Sequence, residues 1–324
     1  MLRECLASLV RQSEEDFSLG REWEILVIAD APSQAVRQAA TEFSGVTVLE
    51  APPPGTGWAW KANALWFASQ QARGKWLLFT EPNVLHEAGD LRRAMHEAER
   101  HKTALLSYSP LLVVRGFLQR VLMTLIVADV AQAYPSRLVN QPDSRVAAAN
   151  GEFLLIQSDV YHRIGGYKAV QGSPIEDMEL AQRCKQGREA LRLRYAPDAV
   201  SAHVVQPLGT MCDGWKMILA FLFPDALSRA FWKLFHAVLL FGLPLLAIWM
   251  YLTVARAPVI WAVVLWWAWR LRVHYADAAK AHFPFLDTLL SPLALPLFTW
   301  LLLDSWRHRH LGLGANRARP TSMS

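Results

Sequence analysis

Cysteine is scarce in this chain. Cys5, Cys184 and Cys212 are scattered over 324 residues, an odd number with no metal-ligand spacing. A disulfide scaffold and a zinc module are excluded, and free thiols in a reducing compartment are expected. Charge is thin as well: 19% Asp, Glu, Lys and Arg against 53% hydrophobic residues, with a mean hydropathy of +0.15. That balance is too apolar for an ordinary soluble enzyme. Met1 leads straight into the amphipathic run LRECLASLVRQ rather than a secretory leader, so the polar part is expected on the cytosolic side. The net charge of +5 comes with no motif for reading RNA or DNA, and nucleic acid is not an expected partner.

The apolar excess is unevenly spread. Met1–Val205 has the pattern of an α/β region and Phe231–Trp306 that of a membrane region. Leu2–Gln12 has helical spacing, and EILVIA (24–29), VTVL (46–49) and KWLLFT (75–80) are short apolar runs that suit buried strands. Helical patterns at 33–43, 60–73 and 88–100 alternate with them. The βαβα rhythm predicts a doubly wound sheet with ligands at the strand C-terminal ends. Residues 105–130 are apolar but interrupted by Arg115, Gln119 and Arg120, which suits an amphipathic or interfacial helix. Further on, 231–254 is long enough to cross a bilayer. Residues 257–269 are apolar but short and closed by Arg270 and Arg272, and 286–306 contains Pro292 and Pro296. Trp261, Trp266, Trp267 and Trp269 favour a membrane interface. Two spans plus a proline-containing re-entrant segment keep the basic tail, with Arg307, Arg309, Arg317 and Arg319, on the cytosolic face.

Several residues suit chemistry, each beside a plainer alternative. Asp30 ends EILVIA, where a ribose or base would bind; a turn or N-cap aspartate is the alternative. Glu81 and Asn83 follow KWLLFT and suit a cation on a diphosphate, although an acid after a strand is common. In GTGWAWK, Lys61 sits on the first turn of a helix, where it suits a phosphate or is simply solvated. The spacing is not that of a Walker loop. Asn150-Gly151 marks a turn before a strand, and Gly165-Gly166 ends a short helix. Glu176 and Asp177 open another helix, where the macrodipole alone stabilises acids. His203 reads as a strand histidine.

These pieces resemble the membrane-associated glycosyltransferases of family 2, especially the ceramide-glucosyltransferase-like branch with hopanoid- and carotenoid-modifying relatives. AAANGEFLLIQSDVYHRIGGYKAV, with EDMELAQRCK after it, carries the resemblance most specifically. The resemblance implies a GT-A-like α/β sheet with helices on both faces, lacking the usual first strand, followed by transmembrane helices. It implies a cytosolic catalytic domain over 1–225, a membrane region over 226–310 and a basic tail over 311–324, at the inner (plasma) membrane. The implied reaction is inverting transfer from a nucleotide-sugar, a UDP-sugar, to a lipid hydroxyl, with Mg or Mn as the implied metal. Asp177 matches the catalytic base, Asp30 the nucleotide-contacting acid and Lys61 the donor-loop lysine. Glu81 and Asn83 stand where the family has Asp-x-Asp, binding donor and metal. Asn150, Gly151, Glu176, Gly214 and Trp215 fall on the acceptor side. The changed Glu81-Pro82-Asn83 motif also leaves open a catalytically impaired paralogue acting as a membrane scaffold or partner subunit.

Overall fold

A computed structural model describes residues 1–29, 33–253 and 257–311. In chain order, α1 (Leu2–Val10) leads to β1 (Ile25–Ala29), α2 (Gln34–Thr41), β2 (Val46–Glu50) and α3 (Trp60–Ser69). Next come β3 (Trp76–Thr80), β4 (Val84–His86), α4 (Asp90–Arg100), β5 (Leu105–Ser109) and β6 (Leu111–Val114). After α5 (Phe117–Ala133) and α6 (Ser136–Val139) follow β7 (Phe153–Gln157), α7 (Ser158–Arg163) and α8 (Glu176–Gln186). Strands β8 (Leu191–Tyr195) and β9 (Val200–Val204) close the mixed α/β part. The remainder is helical: α9 (Leu208–Leu222), α10 (Ala226–Thr253), α11 (Ala257–Ala278), α12 (Phe285–Leu290) and α13 (Leu295–His310).

The chain divides into two compact units. The first joins Met1–Val113 to Tyr134–Val204, and the second joins Val114–Ala133 to the residues from Val205 onward. In the first, β1 and β2 pair in parallel, as the βαβ rhythm requires. A four-stranded sheet has the order β3-β7-β5-β8 and a three-stranded one β4-β9-β6. The expectation of parallel strands fails at β7, which runs antiparallel to both β3 and β5. It enters the sheet after the excursion through α5 and α6 rather than after a single crossover helix. Alternation along β7 feeds two cores. Leu154 and Ile156 join Leu77, Phe79, Tyr161, Tyr167 and Leu180. Phe153 and Leu155 join Leu106, Tyr108 and Val200. A third core sets Cys5, Leu6 and Leu9 of α1 against Ile25 and Val27 of β1.

Among the described residues, three helical stretches are long and apolar enough to cross a membrane: Phe117–Val139, Ala226–Thr253 and Phe285–His310. The interfacial helix expected over 105–130 is two strands followed by α5. The helix carrying the short apolar run 257–269 continues past Arg270 as α11, and Arg270 donates to His236 Nδ1 on α10 at 2.5 Å. The proline-containing segment is broken, with a 3-10 turn at Ser291–Ala294 between α12 and α13.

Candidate active site

Three carboxylates of the first unit surround one ammonium group. Lys61 Nζ lies 2.9 Å from Glu81 Oε1, 2.9 Å from Glu176 Oε1 and 3.1 Å from Asp177 Oδ2. Lys61 is on the first turn of α3, and Glu176 and Asp177 open α8. The loops before these helices are stitched together: Ala59 N–H donates to the Gln171 carbonyl at 2.7 Å. Gly57 adopts φ +83°, and its carbonyl oxygen lies only 2.9 Å from where a side chain on Gly172 would begin. Lys61 and Asp177, 116 residues apart, meet because this seam holds both helix starts in place.

The antiparallel course of β7 supplies the rest. Thr80, at the end of β3, pairs with Phe153, at the start of β7. Glu81 therefore leaves one strand beside the point where Glu152 enters the next. Thr80 Oγ1 donates to the Glu152 carbonyl at 2.9 Å, and Cys5 Sγ of α1 to the Glu81 carbonyl at 3.5 Å. Asn150 shapes the turn ahead of β7. Its Oδ1 accepts from Glu152 N–H at 2.9 Å, and its own N–H donates to Ser107 Oγ at 2.7 Å. Gly151 must be glycine, since a Cβ there would stand 1.9 Å from Asp177 Oδ2. The carboxylate of Asp177 rests directly on this bare α-carbon.

Both oxygens of Asp177 are engaged. Oδ2 faces Lys61, and Oδ1 accepts from the fully buried Tyr167 hydroxyl at 2.5 Å. Burial, then the charge of Asp177 and the bond to it, holds the Tyr167 hydroxyl well above its ordinary pKa, so it stays a donor. Burial opposes the charge on Lys61, but Asp177, Glu81 and Glu176 outweigh it and hold the lysine well above its ordinary value. Burial raises Glu176, aided by Asp177 and opposed by Lys61. Glu152 is pushed up to about 7 by burial and then by Glu81, against its bond to Asn150 and the Lys61 charge.

The expected residues are thus only partly brought together. Lys61, Glu81, Glu176 and Asp177 converge, with Gly151 beneath Asp177. Asn150 serves the turn. Glu81 and Asn83 do not converge: Asn83 Nδ2 donates to the His203 carbonyl at 3.4 Å, and its carbonyl accepts from His203 N–H at 2.9 Å. Asn83 extends the β4–β9 ladder instead. Gly214 and Trp215 lie within α9 of the second unit, and Asp30 lies outside the described residues. Glu152 and Tyr167 join the site unforeseen. A lone acid at the mouth of the strand FLLIQ was the available signal for Glu152; Tyr167, beside the Gly165-Gly166 break, carried none.

No curated protein sequence matches the chain. Among solved structures, Staphylococcus aureus TarS is 14% identical over 96% of this chain and 52% of its own, with a TM-score of 0.48. The chain therefore spans about half the length of that relative. A shorter form, TarS 1-349 in complex with UDP-GlcNAc, is 13% identical over 96% of this chain and 87% of its own, at 0.48. Glucosyl-3-phosphoglycerate synthase from Mycobacterium tuberculosis, in complex with Mn2+ and UDP-glucose, is 16% identical over 68% and 74%, at 0.43. The family model described as glycosyl transferase family 2 matches residues 1–164, half of the 324, spanning α1 to α7 with Lys61, Glu81 and the Asn150-Gly151-Glu152 turn. The chain belongs to glycosyl transferase family 2, and its mixed α/β unit is GT-A-like.

Proposed function

We propose that this chain is an inverting glycosyltransferase that moves a sugar from a nucleotide-sugar donor, a UDP-sugar, to a lipid hydroxyl at the membrane. The observation that carries the reading is the Asp177 carboxylate, seated on Gly151 and held by Tyr167 and Lys61. In a single in-line displacement, Asp177 takes the acceptor hydroxyl's proton as the new bond forms at the anomeric carbon. The bond to the diphosphate breaks, and its electron pair leaves with the phosphate oxygen. Positive charge builds on the sugar ring in the transition state, as in other glycosyl chemistry. Tyr167 fixes the carboxylate's direction. Lys61 and the N-terminal amides of α3, which has no side-chain cap, suit the departing diphosphate. The resemblance assigns nucleotide contact to Asp30 and acceptor contact to Gly214 and Trp215.

Membrane attachment is supported by the three apolar stretches and by the outward apolar side chains of α10. Phe231, Trp232, Leu245 and Leu252 are each at least 60% exposed. Single exposed apolar residues are ordinary, whereas a helix-long row needs an apolar surrounding. A lipid acceptor of the kind used by the ceramide-glucosyltransferase-like branch fits that setting, with the α/β unit on the cytosolic face of the inner membrane.

Asp177→Asn should lower turnover by about three orders of magnitude, the middle of the range for loss of a general base, while donor affinity measured by calorimetry stays within a few-fold. Undiminished turnover would remove Asp177 from the mechanism. A non-catalytic scaffold is the second reading, motivated by Glu81-Pro82-Asn83. Wild-type protein giving neither turnover nor donor heat would select it.

A further inference from the structure

The family's Asp-x-Asp position holds Glu81-Pro82-Asn83 here, and its surroundings do not fit a divalent ion. Asn83 is bonded into the β4–β9 ladder, and Glu81 is turned to Lys61. With Lys61 in place, no group of three or more His, Cys, Asp or Glu among the described residues is set to hold a metal. The three carboxylates that do face one point face Lys61 Nζ, at 2.9, 2.9 and 3.1 Å. Those are the lengths of ammonium–carboxylate contacts, with hydrogen bonds to Glu81 and Asp177 and an ion pair to Glu176. Mg2+ draws its oxygens to about 2.0–2.1 Å and Ca2+ to about 2.3–2.6 Å. The cage has the dimensions of an ammonium ion.

We propose that the Lys61 ammonium is the resident cation of this site, and that it supplies the positive charge for sugar transfer without a divalent metal. The proposal rests on the reading of this cleft as the transfer site. When the bond between anomeric carbon and phosphate breaks, the electron pair goes to the diphosphate. Lys61 exchanges one carboxylate contact for a phosphate oxygen and remains an ammonium throughout. The proton lost by the acceptor goes to Asp177, so charge balances without a further ion. Glu81 is the most exposed of the three carboxylates, 34% against 13% for Asp177 and 9% for Glu176, and so the contact most open to exchange. The site thus offsets its own negative charge with a lysine held at the centre of three carboxylates, the point a metal would occupy.

The test is a Mn2+ titration, followed by electron paramagnetic resonance, of the detergent-solubilised full chain as wild type, Lys61→Arg and Lys61→Met. Wild type and Lys61→Arg should leave Mn2+ free. Lys61→Met empties the point between the three carboxylates and should bind Mn2+ at least about ten-fold tighter. In parallel, dialysis against EDTA should leave wild-type turnover within a few-fold, and Lys61→Met in EDTA should lose about a hundred-fold. Lys61→Gln repeats the measurement should the methionine variant misfold. Tight Mn2+ binding by wild type, EDTA inactivation reversed by Mn2+, or a folded Lys61→Met that ignores Mn2+ would each overturn the proposal. Absence of turnover in every sample, with the Mn2+ pattern intact, would instead fault the reaction assigned above.

Discussion

Desolvation in a half-buried place, and then the charge of Glu81, push the Glu152 carboxyl up to about 7, against 4.5 for an ordinary glutamate. Between those two values the folded chain keeps a proton that the unfolded chain has released. Stability therefore falls as pH rises through that window, and the group's contribution is fully present only below it. The size is at most on the order of 3 kcal/mol. Glu152→Gln has nothing to titrate there. Thermal melts in detergent at pH 5 and pH 8 should show wild type losing more stability than the variant. Equal losses in the two proteins would sink the assignment. At this scale the sequence was legible in residue types and not in meetings. Lys61 and Asp177 stood out by their places at helix starts, but the contact between them depends on the seam joining two loops. Glu152 escaped notice because its significance lies in facing Glu81 across two strand ends, and that adjacency exists only once β7 is known to run antiparallel.

Elements were legible wherever local periodicity decided them. The runs EILVIA and KWLLFT became β1 and β3 within a residue or so, and Ser33 caps α2 by accepting from Val36 N–H at 3.3 Å. Strand direction was not legible, since an apolar run reads the same both ways. Nor was the work of α1, whose amphipathic face predicts burial without saying against what. It anchors the turn that carries Glu81. His86 N–H donates to Ser8 Oγ at 3.1 Å, and Gln12, 2% exposed, spans from α1 to the start of α4. Gln12 Nε2 donates to the Glu87 carbonyl at 2.8 Å, and its Oε1 accepts from Leu91 N–H at 3.3 Å. Gln12→Leu keeps the bulk but leaves the Leu91 N–H of a buried residue without its acceptor, while the Glu87 carbonyl keeps Asp90 N–H. It should cost about 1–2 kcal/mol, the penalty for one unsatisfied buried donor, read as a lower melting temperature. A melt indistinguishable from wild type would mean that water takes over the Leu91 N–H and that α1 is held by apolar contact alone.

For the whole molecule, the composition shift near residue 205 was plain in the sequence, but the interleaving of the two units was not. Helix α5 lies early in the chain and belongs to the second unit. Its polar residues, which suggested an interfacial helix, find partners far along the chain. Arg120 Nε pairs with Asp287 Oδ1 at 2.9 Å, and the nearly buried Asp129 with Lys233 Nζ at 2.5 Å. No local pattern announces a partner about a hundred residues away. The consequence is that a cut at the composition boundary does not yield a self-sufficient domain. A fragment ending at Val204 keeps α5 but loses α12 and α13, which pack on it. Val121, Leu122, Met123 and Ile126, all at most 2% exposed, would lose that cover, at about 2 kcal/mol for each side chain fully returned to water. Asp129 would lose Lys233. The fragment should aggregate without detergent, seen as material in the void volume on gel filtration. A monodisperse fragment with a single cooperative melt would show instead that α5 finds cover within Met1–Val204, and that the division of the chain into two units is not one of stability.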